Sequence, residues 1–229
     1  MTVFKIFTIS TYFQWAGSII ISLSCLHHYN KRPASIKMLG LYALVSILFS
    51  LSQEISIWFF NSGGMNSIGN CYVLMEAWFF CLLFFHATES TTFRKTIFIS
   101  VSSYTIFYLL TFIFYPQNSY SLIRFGRDSL MIFYALSYFY YLIQKLPEED
   151  LLKFPMFWVN SSIIFFFSGT FVLSLMVDYI VSVLKNDLSG FWAFRNFFRF
   201  AFCCVLSYAG WLDWRLIKSK EMRVMPKLG

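Results

Sequence analysis

The hydrophobic residues of this chain come in blocks, neither alternating nor confined to one helical stripe. Apolar runs at about 9–25, 38–60, 71–87, 96–115, 129–143, 155–184 and 191–216 are separated by short polar segments. A block of roughly twenty residues is what a helix needs to cross about 30 Å of hydrocarbon at about 1.5 Å per residue. The bilayer offers no water to unpaired peptide groups, so such blocks form helices that close their own hydrogen bonds. The pattern predicts an all-α fold, a polytopic membrane bundle of about seven transmembrane helices in a single domain spanning residues 1–229.

Turn and charge signals sit where the blocks break. Lys31-Arg32-Pro33 divides the first two runs, Asn61-Ser62-Gly63-Gly64 the next two, and Arg94-Lys95 precedes the fourth, which Pro116 ends. The fifth run is short unless Arg127 and Asp128 lie at the membrane interface and lengthen it; Lys145 and Pro147 close it. The sixth is longer than a bilayer requires and should tilt or protrude. No connection is long enough to hold a soluble catalytic domain.

Composition agrees: 58% hydrophobic and only 13% charged residues leave too little polar surface for a water-soluble globule. The net charge of +7 raises nucleic acid as a partner, but the basic residues lie between apolar blocks and form no patch on a soluble fold. They report topology instead, because Lys and Arg accumulate in cytoplasmic connections. With the N-terminus outside, Lys31, Arg32, Lys37, Arg94, Lys95, Lys145, Lys153, Arg215, Lys218, Lys220, Arg223 and Lys227 are cytoplasmic, twelve of the eighteen basic residues. The expected arrangement is N-terminus outside, C-terminus inside, with residues 217–229 as a basic cytoplasmic tail. The first run should be retained as a span, since Lys5 is its only early basic residue and no small-residue cleavage motif follows.

Several chemistries are disfavoured. Cys25, Cys71, Cys81, Cys203 and Cys204 form no C-x-x-C, and His27, His28 and His86 sit at span ends without helical metal spacing, so no metal and no cofactor is expected. A retinal Schiff base needs a lysine inside the last span, whose interior has none. The aromatics from Phe133 to Tyr141 fit an interfacial belt.

The informative residues are the ionisable groups inside apolar runs, because each is costly there and calls for a partner or a wet cavity. Glu54 and Glu76 lie toward the outer ends of the second and third spans. Arg195 and Arg199, four apart in the seventh, leave one helix face. Asp178, Arg127 and Asp128 fall near the same rim. Three readings fit: ion pairs that lock helices together, an outward-facing charged cavity whose arginines hold an anionic or carboxylate ligand, or side chains that snorkel outward to water. Glu54, Glu76, Arg195, Arg199, Asp178 and Arg127 are therefore the candidate site.

A faint internal repeat pairs Lys31-Arg32-Pro33 and Lys37 with Lys145-Leu146-Pro147 and Lys153, each ahead of a long span, as in carriers built from two three-helix repeats. The stretch from Pro147-Glu148-Glu149-Asp150 through Phe154-Pro155-Met156-Phe157-Trp158 to Asn160-Ser161, with Asn70-Cys71-Tyr72-Val73-Leu74-Met75-Glu76, resembles a family of small bacterial seven-helix membrane proteins common in Bacteroidota. That resemblance implies a bacterial inner membrane and inclines the reading toward sensing. The leading expectation is a non-enzymatic sensor or receptor-like module with a cytoplasmic or membrane signalling partner. A small carrier for a polar or anionic solute, or a structural subunit of a membrane complex, are the alternatives.

Overall fold

The computed structural model describes residues 2–60, 65–114, 119–145, 150–184 and 189–224, and among them every long element is helical. Seven helices follow one another: α1 (Thr2–Leu26), α2 (Ala34–Phe60), α3 (Met65–Ala87), α4 (Thr91–Phe114), α5 (Ser119–Lys145), α6 (Pro155–Leu184) and α7 (Ser189–Val224). Six of them, all but α5, are long and apolar enough to cross a membrane, which makes this a multi-pass membrane-type bundle. α5 is the exception because Arg124, Arg127 and Asp128 crowd its first half.

Local chemistry explains the helix ends. Pro155 opens α6, where its missing N–H has no helical acceptor to lose. Ser90 precedes α4, accepting the Phe93 N–H on its hydroxyl at 3.4 Å and the Arg94 N–H on its carbonyl at 3.0 Å. Two 3-10 turns, Tyr29–Lys31 and Leu151–Lys153, fill the connections that carry the Lys and Pro signals. His28 opens the first of them in the left-handed region at φ 57°. In the second, Asp150 accepts the Leu152 N–H at 3.2 Å.

Consecutive helices are neighbours and α7 returns to pack on α1, so the bundle closes as a ring in chain order, with α3 also touching α5. Small residues permit the closest approaches. A Cβ built on Gly17 would meet the Cys203 Cβ at 2.7 Å, and one on Gly210 would meet the Cys25 Sγ at 2.7 Å, so α1 and α7 touch nearly backbone to backbone. Large apolar side chains such as Leu23, Ile99, Ile113 and Phe197 point outward, as expected where lipid is the solvent. The interior is aromatic: Phe80, Phe84, Phe166, Phe167, Phe202 and Tyr134 are almost completely buried.

Two boundaries differ from the sequence reading in ways that matter for the site. α5 begins at Ser119, not near 129, so Arg127 and Asp128 lie well inside the helix and are fully buried rather than interfacial. α3 begins at Met65, which puts Glu76 midway between its ends, roughly 16 Å from either at about 1.5 Å per residue. α7 also runs on to Val224, so the first half of the basic tail is helix; residues 225–229 lie outside the described residues.

Candidate functional site

A transmembrane glutamate is tolerable only if its charge is met, and Glu76 is met from several directions. Its side chain is completely buried. Arg127 of α5 donates to Oε2 at 2.5 Å, and Arg199 of α7 donates to Oε1 at 2.9 Å. Tyr42 of α2 donates to the same Oε1 at 2.6 Å, and Tyr72, one turn before Glu76 on α3, adds a longer bond at 3.3 Å. One carboxylate is thus the common acceptor for α2, α5 and α7.

The chain of bonds continues on both sides. Arg127 also donates from Nε and Nη2 to Asp128 Oδ1 at 2.9 and 2.5 Å, and Ser174 of α6 donates to Asp128 Oδ2 at 2.7 Å. Arg199 Nη2 donates to the Tyr42 and Tyr72 hydroxyls and, at 3.3 Å, to Ser46. Five of the seven helices, α2, α3, α5, α6 and α7, are joined by this chain. Its four formal charges, two carboxylates and two guanidiniums, sum to zero, which is how it persists in a low-dielectric interior.

Aromatic rings form the floor. Phe166 and Phe202 stack at 4.8 Å between centroids, and Phe80 meets Phe167 edge-on at 5.9 Å. The Arg127 guanidinium lies 5.2 Å from the Phe167 ring, and that of Arg199 lies 5.5 Å from Phe166 and 5.9 Å from Phe202. These cation–π faces stabilise the guanidiniums where no further oxygen is available. Arg199 Nε is buried with no hydrogen-bond acceptor among the described residues.

The six candidate residues therefore separate. Glu76, Arg127 and Arg199 come together. Glu54 is half-buried on α2 and lies outside the described bonds of the chain. Arg195 is half-buried one turn before Arg199 on α7 and is not among the donors to Glu76. The side chain of Asp178 lies outside the described residues. Tyr42, Tyr72, Ser46 and Ser174 are participants that sequence reading missed; their hydroxyls sit in apolar runs, where the rings read as packing and the serines as small contacts.

A second buried pair was equally hidden. Arg32, in the loop after α1, donates to Asp213 Oδ2 of α7 at 2.7 Å, to the Gly210 carbonyl at 2.7 Å, and to the Ser24 and His27 carbonyls at 2.7 and 3.1 Å. It closes the last carbonyls of α1 and ties that end to α7. The signal available was Asp213 alone in an apolar run, opposite a basic loop.

Among the described residues no cluster of three metal-ligating side chains occurs. No known family model matches the chain, and neither a curated protein nor a solved structure is detectably similar to it.

Proposed function

We propose that the chain is a receptor-like sensor of a bacterial cytoplasmic membrane, crossing it seven times with the N-terminus outside. It has no catalytic site, and it responds to an extracytoplasmic ligand by re-partnering its buried charges. The observation that carries this reading is the double occupancy of Glu76: arginines from two different helices converge on one carboxylate, while Arg199 keeps a buried Nε with no acceptor among the described residues. A carboxylate shared by arginines of two helices couples those helices, and a ligand that takes over one of the two partners shifts them relative to each other. Orientation rests on the distribution of Lys and Arg, twelve of eighteen at one end. The basic end of α7, from Lys218 onward, is the surface offered to a cytoplasmic partner.

One observation favours a second reading, a structural membrane subunit: each of the four charges already has a partner, as in a lock with no ligand. Spin labels at Cys71 on α3 and at Gly190→Cys on α7, in a background lacking the other cysteines, separate the two. In a sensor, Glu76→Gln or the gentler Tyr42→Phe adds a second, discrete α3–α7 distance while the protein stays helical. A single unshifted distance accompanied only by lower stability would contradict sensing and support the lock.

A further inference from the structure

At the corner where α3 ends and α4 begins, a groove of about 340 Å3 is lined by Phe85, Thr91, Arg94, Lys95, Phe98 and Ile99. Its walls are rings and alkyl chains, and its rim carries two cations in the first turn of α4. Arg94 is held in place. Its Nε donates to the Phe85 and Thr88 carbonyls at 3.1 and 2.9 Å, its Nη2 donates to Thr88 at 2.6 Å, and the guanidinium lies 5.0 Å from the Phe85 ring.

All of these acceptors are carbonyls, so among the described residues Arg94 is oriented with no carboxylate bonded to it. The neighbouring carboxylate, Glu89, is bonded to Lys145 and acts on Arg94 only through space. Lys95 is exposed beside it, and the α4 N-terminus adds its dipole to the same side. One turn further along α4, Phe98 and Ile99 are exposed and continue the groove away from the helix end. Positive charge at a helix end followed by an open apolar slot is the order of polarity of a lipid molecule, phosphate first and acyl chain next.

We propose that this corner binds an anionic diacyl phospholipid, its phosphate between Arg94 and Lys95 and one acyl chain against Phe85, Phe98 and Ile99. The site is separate from the Glu76 chain, and its occupant is a membrane component rather than a signal. A zwitterionic lipid brings a second cation to the same rim and loses the advantage. Each basic residue near a lipid phosphate contributes about fivefold in affinity, the equivalent of about 1 kcal/mol.

Native mass spectrometry of the full chain, with phosphatidylglycerol and phosphatidylcholine added in equal amounts, tests this directly. Phosphatidylglycerol adducts should exceed phosphatidylcholine adducts by about fivefold or more. Lys95→Gln, at an exposed side chain whose loss leaves the fold intact, should cut that preference by about fivefold. Lys153→Gln, at the α6 end, should leave it unchanged. Equal retention of the two lipids would overturn the assignment, as would a Lys95→Gln variant with undiminished preference. Displacement of the lipid by inorganic phosphate at equal concentration would also overturn it, because the site would then be one for soluble anions.

Discussion

At the residue scale, the position of a charge mattered less than the hydroxyls around it. Glu76 and Arg199 stand out in the sequence because an ionised side chain in an apolar run must be answered. What answers them is partly tyrosine, and a tyrosine inside such a run looks like any other ring until its neighbours are known. The Tyr42 hydroxyl donates to Glu76 and accepts from Arg199, so Tyr42→Phe removes two charge-assisted bonds from a buried site. It should lower unfolding free energy by about 1–3 kcal/mol. Glu54→Gln should change it by no more than about 0.5 kcal/mol, because Glu54 is half-buried and outside the chain of bonds. Denaturation in mild detergent measures both. An equal loss for Glu54→Gln would restore that residue to the site.

At the element scale, six of the helices were legible from block length, and the predicted spans differ from them mainly by a turn or two at the ends. α5 was legible only in its second half, because Arg124, Arg127 and Asp128 look like a connection when hydropathy alone is read. The burial of Arg127 and Asp128 depends on α3, α6 and α7 supplying Glu76, Ser174 and an aromatic floor, which no local pattern displays. Helix contacts were hidden in the same way: nothing local says that Gly210 faces Cys25. Gly210→Ala places a methyl 2.7 Å from Cys25 Sγ and 3.0 Å from Ser24 Oγ, and should cost about 1–3 kcal/mol. Cys25→Ala should recover part of that loss. At the loop between α3 and α4, the hydrogen bond from Lys145 holds the Glu89 carboxyl below its usual range, and Glu89 in turn raises Lys145. The support this exposed pair gives is present above the ordinary carboxylate range and falls away as pH drops through the lowered value of Glu89. At the alkaline end it is lost as pH climbs through the raised value of Lys145. Melting temperature followed against pH should show a small acid limb that Glu89→Gln flattens.

At the scale of the whole molecule, the ring of helices is closed twice, by the Glu76 chain through its interior and by Arg32–Asp213 at one end. The orientation proposed for that ring is open to cysteine labelling: Glu89→Cys and Lys153→Cys should react only from the cytoplasm, and Gly190→Cys only from outside. The central claim is that Glu76 is the shared partner of Arg127 and Arg199. Removing Arg199 leaves part of a buried carboxylate unanswered, and removing the carboxylate strands the Arg199 cation while Arg127 keeps Asp128, at about 3–5 kcal/mol for an uncompensated charge. Neutralising both members of a pair leaves less unmatched charge than either change alone. The direct test is a double-mutant cycle on unfolding free energy with Glu76→Gln, Arg199→Gln and the double variant. The account predicts that the double variant is more stable than the sum of the single losses allows, with a coupling of about 1–3 kcal/mol. Losses that add to within about 0.5 kcal/mol would show that the two residues do not pair, and would contradict it.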